Sequence, residues 1–277
     1  MKKIAVIGAG SMAEALISGI IKEQLIDCKS IWVTNKTNQT KLSAFQSKYG
    51  VTITYQLDEL FEEADIVILA MKPKDAADAI TQIKDFLTSE MLIISVLAGV
   101  SIETIELLAE KSLSVVRAMP NTSAAIGKSA TALAVNHKVS EKQILLAHKM
   151  FTTVGLTMMV DEKQLDAVTG LSGSGPAYIY YLAEAMEKSA TDIGLERGLA
   201  KQLIIQTLLG AAEMLEKSTK EPQQLRKEVT SPGGTTEAGI KILEAYNVQH
   251  AFIDCIKEAA AQSKRLGTSF NADLKLI

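Results

Sequence analysis

Cysteine is nearly missing from this chain: Cys28 and Cys255 are the only two, and they form no Cys-x-x-Cys pair. That excludes a disulfide framework and a cysteine-built zinc site, leaves no metal to expect, and fits a reducing, cytoplasmic setting. Nor is there an uninterrupted apolar stretch of the ~18 residues that a membrane helix needs. The opening Met1-Lys2-Lys3 before Ile4-Ala5-Val6-Ile7 has the charge of a secretory leader. Gly8, Gly10 and Glu14 break the apolar run too early for one, so export is not expected. Neither sign of charge dominates, since 29 basic against 32 acidic residues leave a net charge of -3. Basic residues come in short pairs such as Lys2-Lys3 and Lys264-Arg265, with no stripe that would follow a nucleic acid. Histidine is scarce as well. His137, His148 and His250 all lie away from the glycine-rich segments, which makes a histidine general acid an unpromising expectation.

What the chain does have is order. Its 277 residues suffice for one large domain or two modest ones. Short apolar runs at 4–7, 30–34, 66–70, 92–96 and 114–117 alternate with helical periodicity, beginning with a helix over 12–22. Strands apolar on both faces and separated by helices predict a parallel sheet covered on both sides. Two more strands are expected at 130–135 and 156–160, with a helix from Ser140 between them. After Asp161 the strand pattern stops, and helices are expected over 178–193, 199–215, 237–245 and 252–266. The expected plan is α/β: a Rossmann-type dinucleotide-binding domain over 1–160, then an all-helical domain over 161–277.

The helical half carries more apolar surface than it can bury alone. Leu199, Leu203, Ile204, Leu208, Ala211 and Leu215 line one side of their helix, and Ala200, Ile205, Leu209 and Ala212 widen that stripe. A helix apolar around most of its circumference is buried on more than one side, so a subunit interface is expected here.

The segment Gly8-Ala9-Gly10-Ser11-Met12-Ala13 fits G-x-G-x-x-G/A directly after a strand and at the opening of a helix. The first glycine makes the turn, and the second removes a side chain where a pyrophosphate must approach. Small Ala13 lets helix and strand pack closely, while the helix N-terminus offers N–H donors. Contacts to a dinucleotide are therefore expected at Gly8, Ala9, Gly10, Ser11 and Met12. About 20 residues past such a turn, NAD-specific folds place an acid for the ribose 2′-hydroxyl. This chain has Thr34-Asn35-Lys36-Thr37 there. With no carboxylate to repel a 2′-phosphate, Asn35 and Lys36 favour NADPH, with NADH still admitted. Ala70-Met71-Lys72-Pro73, Ala98-Gly99 and Met119-Pro120-Asn121-Thr122 follow later strands, on the side where open α/β sheets bind ligands. Ala70, Met71, Lys72, Pro73, Ala98 and Asn121 are the expected cofactor contacts from those ends.

Two glycine-rich segments lie in the helical half, over 169–176 and 230–236, and both lead into helices. Backbone N–H groups and hydroxyls at such a start form an anion site. The second segment, Thr230-Ser231-Pro232-Gly233-Gly234-Thr235-Thr236, suits a small carboxylate, since no Arg or Lys lies within it.

Together the GAGSMA turn, the MKP after the third expected strand, DAVTGLSGSGPAY from Asp166 and VTSPGGTTEAGI from Val229 resemble the pyrroline-5-carboxylate reductase family. The resemblance reaches from the first strand to about Gly267. It implies reduction of the C=N bond of 1-pyrroline-5-carboxylate to L-proline, the last step of proline biosynthesis, on a Rossmann domain followed by a helical dimerisation domain. It further implies homodimers that can build a decamer. By resemblance the substrate carboxylate belongs at Ser231, Gly234, Thr235 and Thr236, with Thr236 as the catalytic hydroxyl and Glu162 and Glu228 nearby. Ser11 stands where many members have Asn or Gln, and Glu228 where some have a neutral amide. Gly170, Gly173 and Gly175 also match the G-x-x-G-x-G of β-hydroxyacid dehydrogenases. That family's catalytic Lys and Asn positions are Ile179 and Ala183 here, so the base that alcohol oxidation needs is missing. A non-catalytic NADP-binding sensor on the same fold remains a second alternative.

Overall fold

The computed structural model describes residues 2–274, with side chains through Thr268. Packing divides the chain into two units. The first comprises the residues up to Pro176 together with those from Lys257 on. It is built on β1 (Ile4–Ile7), β2 (Ile31–Thr34), β3 (Thr52–Ile53), β4 (Ile66–Leu69), β5 (Leu92–Ser95), β6 (Ser114–Met119), β7 (Ser129–Val135) and β8 (Gly155–Met159). They form one sheet in the order β3-β2-β1-β4-β5-β6-β7-β8. The first six strands run parallel, β7 is antiparallel to β6, and β8 is parallel to β7.

Helices α1 (Ser11–Lys22), α2 (Gln39–Tyr49), α3 (Leu57–Phe61), α4 (Ala76–Ile83), α5 (Ile102–Ala109), α6 (Glu141–Thr152) and α7 (Leu165–Val168) complete most of this unit. The apolar runs become central strands because every residue of β1, β4, β5 and β6 is buried. Alternate residues then serve opposite faces. Ile4, Val6, Ile66, Ile68, Ile94 and Val116 join a core with Leu16, Ile17 and Ile20 of α1 and Phe151 of α6. Ala5, Ile7, Val67, Leu69, Ile93 and Val115 join another with Ile80, Ile83 and Ile105. The expected doubly covered sheet is present.

Two details were not expected. β3 spans only two half-buried residues and has no apolar run to announce it. The antiparallel β6–β7 pairing reverses the sheet's direction, which residue periodicity does not encode. The short connection 120–128 does carry the hint, because a parallel return needs a crossover of about a dozen residues or more.

The second unit runs from Ala177 to Ile256. It holds most of α8 (Gly175–Asp192), then α9 (Arg197–Lys217), α10 (Pro222–Glu228), α11 (Thr235–Ala245) and the start of α12 (Val248–Leu274). The seven-residue α10, opened by Pro222, is too short to stand out as a periodic segment. The compositional change near Asp161 precedes the first packing division. Residues just after it stay with the sheet: Leu165 packs with Met119, Ala132 and Ala134. The far end of α12 belongs to the first unit as well, where Ser263 donates to Asp166 Oδ1 at 2.7 Å. Within the second unit the buried side chains are Ala190, Ala200 and Ile204, whereas Leu203, Ile205, Leu209 and Leu215 of α9 are exposed. So bare an apolar helix set has no core of its own. Among the described residues no helix is long and apolar enough to cross a membrane.

Candidate functional site

At the sheet's carboxyl edge, the turn after β1 meets the turn after β4. These strands are neighbours at the point where the strand order reverses, which is where open α/β sheets leave a ligand crevice. Gly8 makes the contact. Its N–H donates to the Thr34 carbonyl at 2.8 Å, its φ is +109°, and an ideal Cβ on it would lie 2.6 Å from the Ala70 backbone. No L side chain fits there. Gly10 follows as the N-cap of α1 with no side-chain cap, so the helix start keeps its donors for an outside partner. Ala9 and Ala13 are buried, Ser11 is exposed and Met12 half-buried, which places this turn over the helix–strand contact. Ala70 is buried, Met71 half-buried, and Lys72 and Pro73 are exposed where a short 3₁₀ turn begins. Half-buried Ala98 follows β5. The residues present thus fit a dinucleotide: a cradle that a Cβ would fill, and an uncapped helix start beyond it.

The end of β2 is more committed than its sequence suggests. Asn35 donates from Nδ2 to the Asn38 carbonyl at 2.8 Å and accepts the Asn38 N–H at 2.7 Å, with the Tyr55 hydroxyl 3.2 Å from the same Oδ1. It builds the turn that lets Asn38 cap α2. Lys36 is the outward-facing group, exposed, with Nζ 3.6 Å from Asp78 Oδ2. Asn121 is likewise occupied. It is buried, its Nδ2 donates to the Ser172 carbonyl at 3.0 Å, and its Oδ1 accepts the Ser123 N–H at 3.1 Å. The amide ties the end of β6 to the turn over Thr169–Gly173.

Glu162 also holds structure. Its Oε1 accepts from Arg117 Nη1 at 2.9 Å and from the Ile102 N–H at 2.8 Å. Arg117 lies within β6 and is buried, so this carboxylate balances a buried guanidinium and completes the start of α5. Sequence reasoning missed Arg117, since a lone Arg in an apolar strand announces no partner.

The segment before α11 is a tight turn held by its own contacts. Gly233 takes a φ of +74°, and its N–H donates to Glu237 Oε2 at 3.0 Å. The Gly234 N–H donates to the Ser231 carbonyl at 3.0 Å, and an ideal Cβ on Gly234 would lie 2.9 Å from Ser231 Oγ. The expected role of Gly234 therefore changes: its N–H is used within the loop, and what it contributes is space beside the Ser231 hydroxyl. Gly234 is the N-cap of α11 with no side-chain cap, and Thr235 and Thr236 are the first two helical residues, both exposed. Glu228, at the end of α10, accepts from Lys220 Nζ at 2.8 and 2.9 Å and from Gln224 Nε2 at 3.2 Å. The Lys220 hydrogen bond, reinforced by Gln224, holds its carboxyl below the usual glutamate range. Glu237 was also missed, although an acid three residues past an N-cap is a recognisable capping signal.

A doubly covered sheet with a glycine cradle at its reversal point, followed by a helical half, fits the class of NAD(P)-dependent oxidoreductases of the Rossmann plan. Comparison with known proteins narrows the class. A family model for pyrroline-5-carboxylate reductase dimerisation matches residues 162–266, and one for coenzyme F420-dependent NADP oxidoreductases matches residues 3–99. Pyrroline-5-carboxylate reductase 2 of Bacillus subtilis is 47% identical over 270 residues, covering 98% of this chain and 97% of the relative. Among solved structures, a pyrroline-5-carboxylate reductase from Coxiella burnetii aligns with a TM-score of 0.86 at 39% identity, covering 96% of this chain and 98% of its own. A pyrroline carboxylate reductase from Plasmodium falciparum with NADP bound gives 0.86 at 29% identity over the same shares, 96% and 98%. The chain belongs to the pyrroline-5-carboxylate reductase family.

Proposed function

We propose that this protein reduces the C=N bond of 1-pyrroline-5-carboxylate to L-proline, with NADPH preferred over NADH, as the last step of proline synthesis. One observation carries the reading. A single chain, aligned almost end to end with the Bacillus subtilis enzyme, joins a glycine-cradled dinucleotide turn to a second uncapped, hydroxyl-rich helix start. The test is direct: loss of nicotinamide absorbance on addition of pyrroline-5-carboxylate. No loss under saturating cofactor rejects the reading. A gain of that absorbance from oxidised cofactor with a β-hydroxyacid, and no loss with pyrroline-5-carboxylate, supports the alternative dehydrogenase.

In this scheme Gly8, Ala9, Gly10, Ser11 and Met12 surround the pyrophosphate, and Ala70, Met71, Lys72, Pro73 and Ala98 line the crevice toward the nicotinamide. The reduced nicotinamide, when bound, supplies the hydride. Ser231 Oγ and the N–H groups of Thr235 and Thr236 hold the substrate carboxylate, and the Thr236 hydroxyl holds the ring nitrogen. A protonated imine becomes a neutral amine on gaining hydride, so no strong acid is required. Orientation of the imine carbon supplies most of the acceleration. Asn121 and Glu162 brace the first unit through the partners described above, Glu228 keeps to Lys220 and Gln224 in the second, and Asn35 shapes the turn that presents Lys36.

The 2′-phosphate falls to Lys36. A charge-assisted contact is worth ~1.5–3 kcal/mol, about tenfold or more in affinity. Lys36→Ala should accordingly raise the KM for NADPH about tenfold and leave that for NADH nearly unchanged. Steady-state kinetics with both cofactors checks this, and equal effects would clear Lys36 of any part in the preference.

Residues 161–277 form the dimerisation and substrate-binding region in this reading, and the protein is a cytoplasmic homodimer whose dimers can assemble into a decamer. The support is the second unit's exposed α9 surface, which has the core-like character of an obligate interface. Sedimentation at low micromolar concentration should find a dimer or a multiple of it and no folded monomer. A stable folded monomer would contradict this assignment.

A further inference from the structure

The backbone before α11 is held by the chain itself, at the two places where an incoming anion would otherwise find donors. The Gly233 N–H goes to Glu237 Oε2 at 3.0 Å, and the Gly234 N–H to the Ser231 carbonyl at 3.0 Å. Glu237 in turn lies 3.2 Å from Lys241 Nζ, one helical turn on, which balances its charge. Two consecutive glycines make this the least constrained backbone in the segment, and Gly233 sits at φ +74°. Without the Glu237 contact, one conformation of the Gly-Gly pair has to be ordered by the ligand, at the expense of affinity.

We propose that Glu237 is a positioning residue: by fastening the Gly233 N–H it presets the Gly233-Gly234 backbone, so that Ser231 Oγ and the N–H groups of Thr235 and Thr236 stand ready for the substrate carboxylate. The inference rests on the proposed reading of this loop. Glu237 touches neither substrate nor cofactor. Its removal acts on substrate KM and spares both kcat and the KM for NADPH.

The experiment compares wild type with Glu237→Ala, Glu237→Asp and Glu237→Gln, measuring kcat, both KM values and Tm. Ala removes the acceptor, and Asp shortens its reach while keeping an acid in the helix's first turn, where it is favourable. Both should raise the KM for pyrroline-5-carboxylate about tenfold with kcat within about twofold. Gln keeps an acceptor and should restore the wild-type KM or lower it, because it also removes a negative charge beside an anion seat. A plain helix-capping role predicts lower Tm with unchanged KM, and that outcome overturns the proposal. So does an elevated KM that Gln does not reverse. Should Glu237→Ala fail to fold, the Asp and Gln variants decide alone. A wild-type chain inactive on pyrroline-5-carboxylate would defeat the functional reading itself. An active wild type with unmoved KM in the variants defeats Glu237 only.

Discussion

Replacing Gly10 with alanine will leave the protein folded and raise its KM for NADPH by about 10- to 100-fold. The fold tolerates the change because Gly10 has ordinary extended geometry, φ -83° and ψ 176°. An ideal Cβ there meets nothing nearer than the Ala70 carbonyl oxygen at 3.6 Å, a normal contact. Trading glycine for alanine at such a position even tends to stabilise, by ~0.4–1 kcal/mol through the unfolded chain. The harm falls on the cofactor. A methyl group at the mouth of α1 keeps the pyrophosphate off the helix-start N–H donors, and each charge-assisted bond lost is worth ~1.5–3 kcal/mol, which sets the fold-change above. Gly8→Ala makes the contrast. Its Cβ would collide with the Ala70 backbone, so the turn itself suffers and Tm falls along with binding. Thermal melts and NADPH kinetics on both variants test the pair. A Gly10→Ala enzyme with NADPH KM within twofold of wild type would show that the pyrophosphate does not pass over this residue.

Thr236→Val should lower kcat by ~10–1,000-fold, the range for a lost proton-holding or electrostatic contact. The shape of the side chain is kept and only the hydroxyl goes. The competing account, in which Thr236 merely caps α11, predicts a stability loss of ~1 kcal/mol with normal turnover. The helix start argues against it. Gly234 is the N-cap, and Thr236 is the second residue of the helix proper. The variant should therefore lose less than about 0.5 kcal/mol, the propensity difference at most, while turnover collapses. Stability down with wild-type kcat would hand the residue back to the capping account.

Most of the fold was legible because it depends on local signals. β1, β4, β5 and β6 are uniformly apolar, and a strand that reads so must be covered on both faces. The Gly8-to-Ala13 turn was legible for a related reason, since its residue types answer to steric demands within a few residues. Positions serving partners far along the chain were not. Asn121 reads as a ligand contact by its place after a strand, and Glu162 by the family resemblance. In the fold, Asn121 reaches Ser172, and Glu162 reaches Arg117 and the Ile102 N–H. Asn35 looked like a reader of the 2′-phosphate, whereas in the fold its amide closes its own turn.

By itself, then, the sequence determined the α/β plan, the glycine turn after β1, the helical second half and its surplus of apolar surface. Each of these follows from periodicity or from the steric needs of adjacent residues. Tertiary structure alone decided the return of α12 to the first unit and which polar side chains are occupied by the fold. A hydrogen bond's value depends on whether donor and acceptor meet away from water, and that meeting is set by the packing of segments whose separation along the chain carries no trace of it.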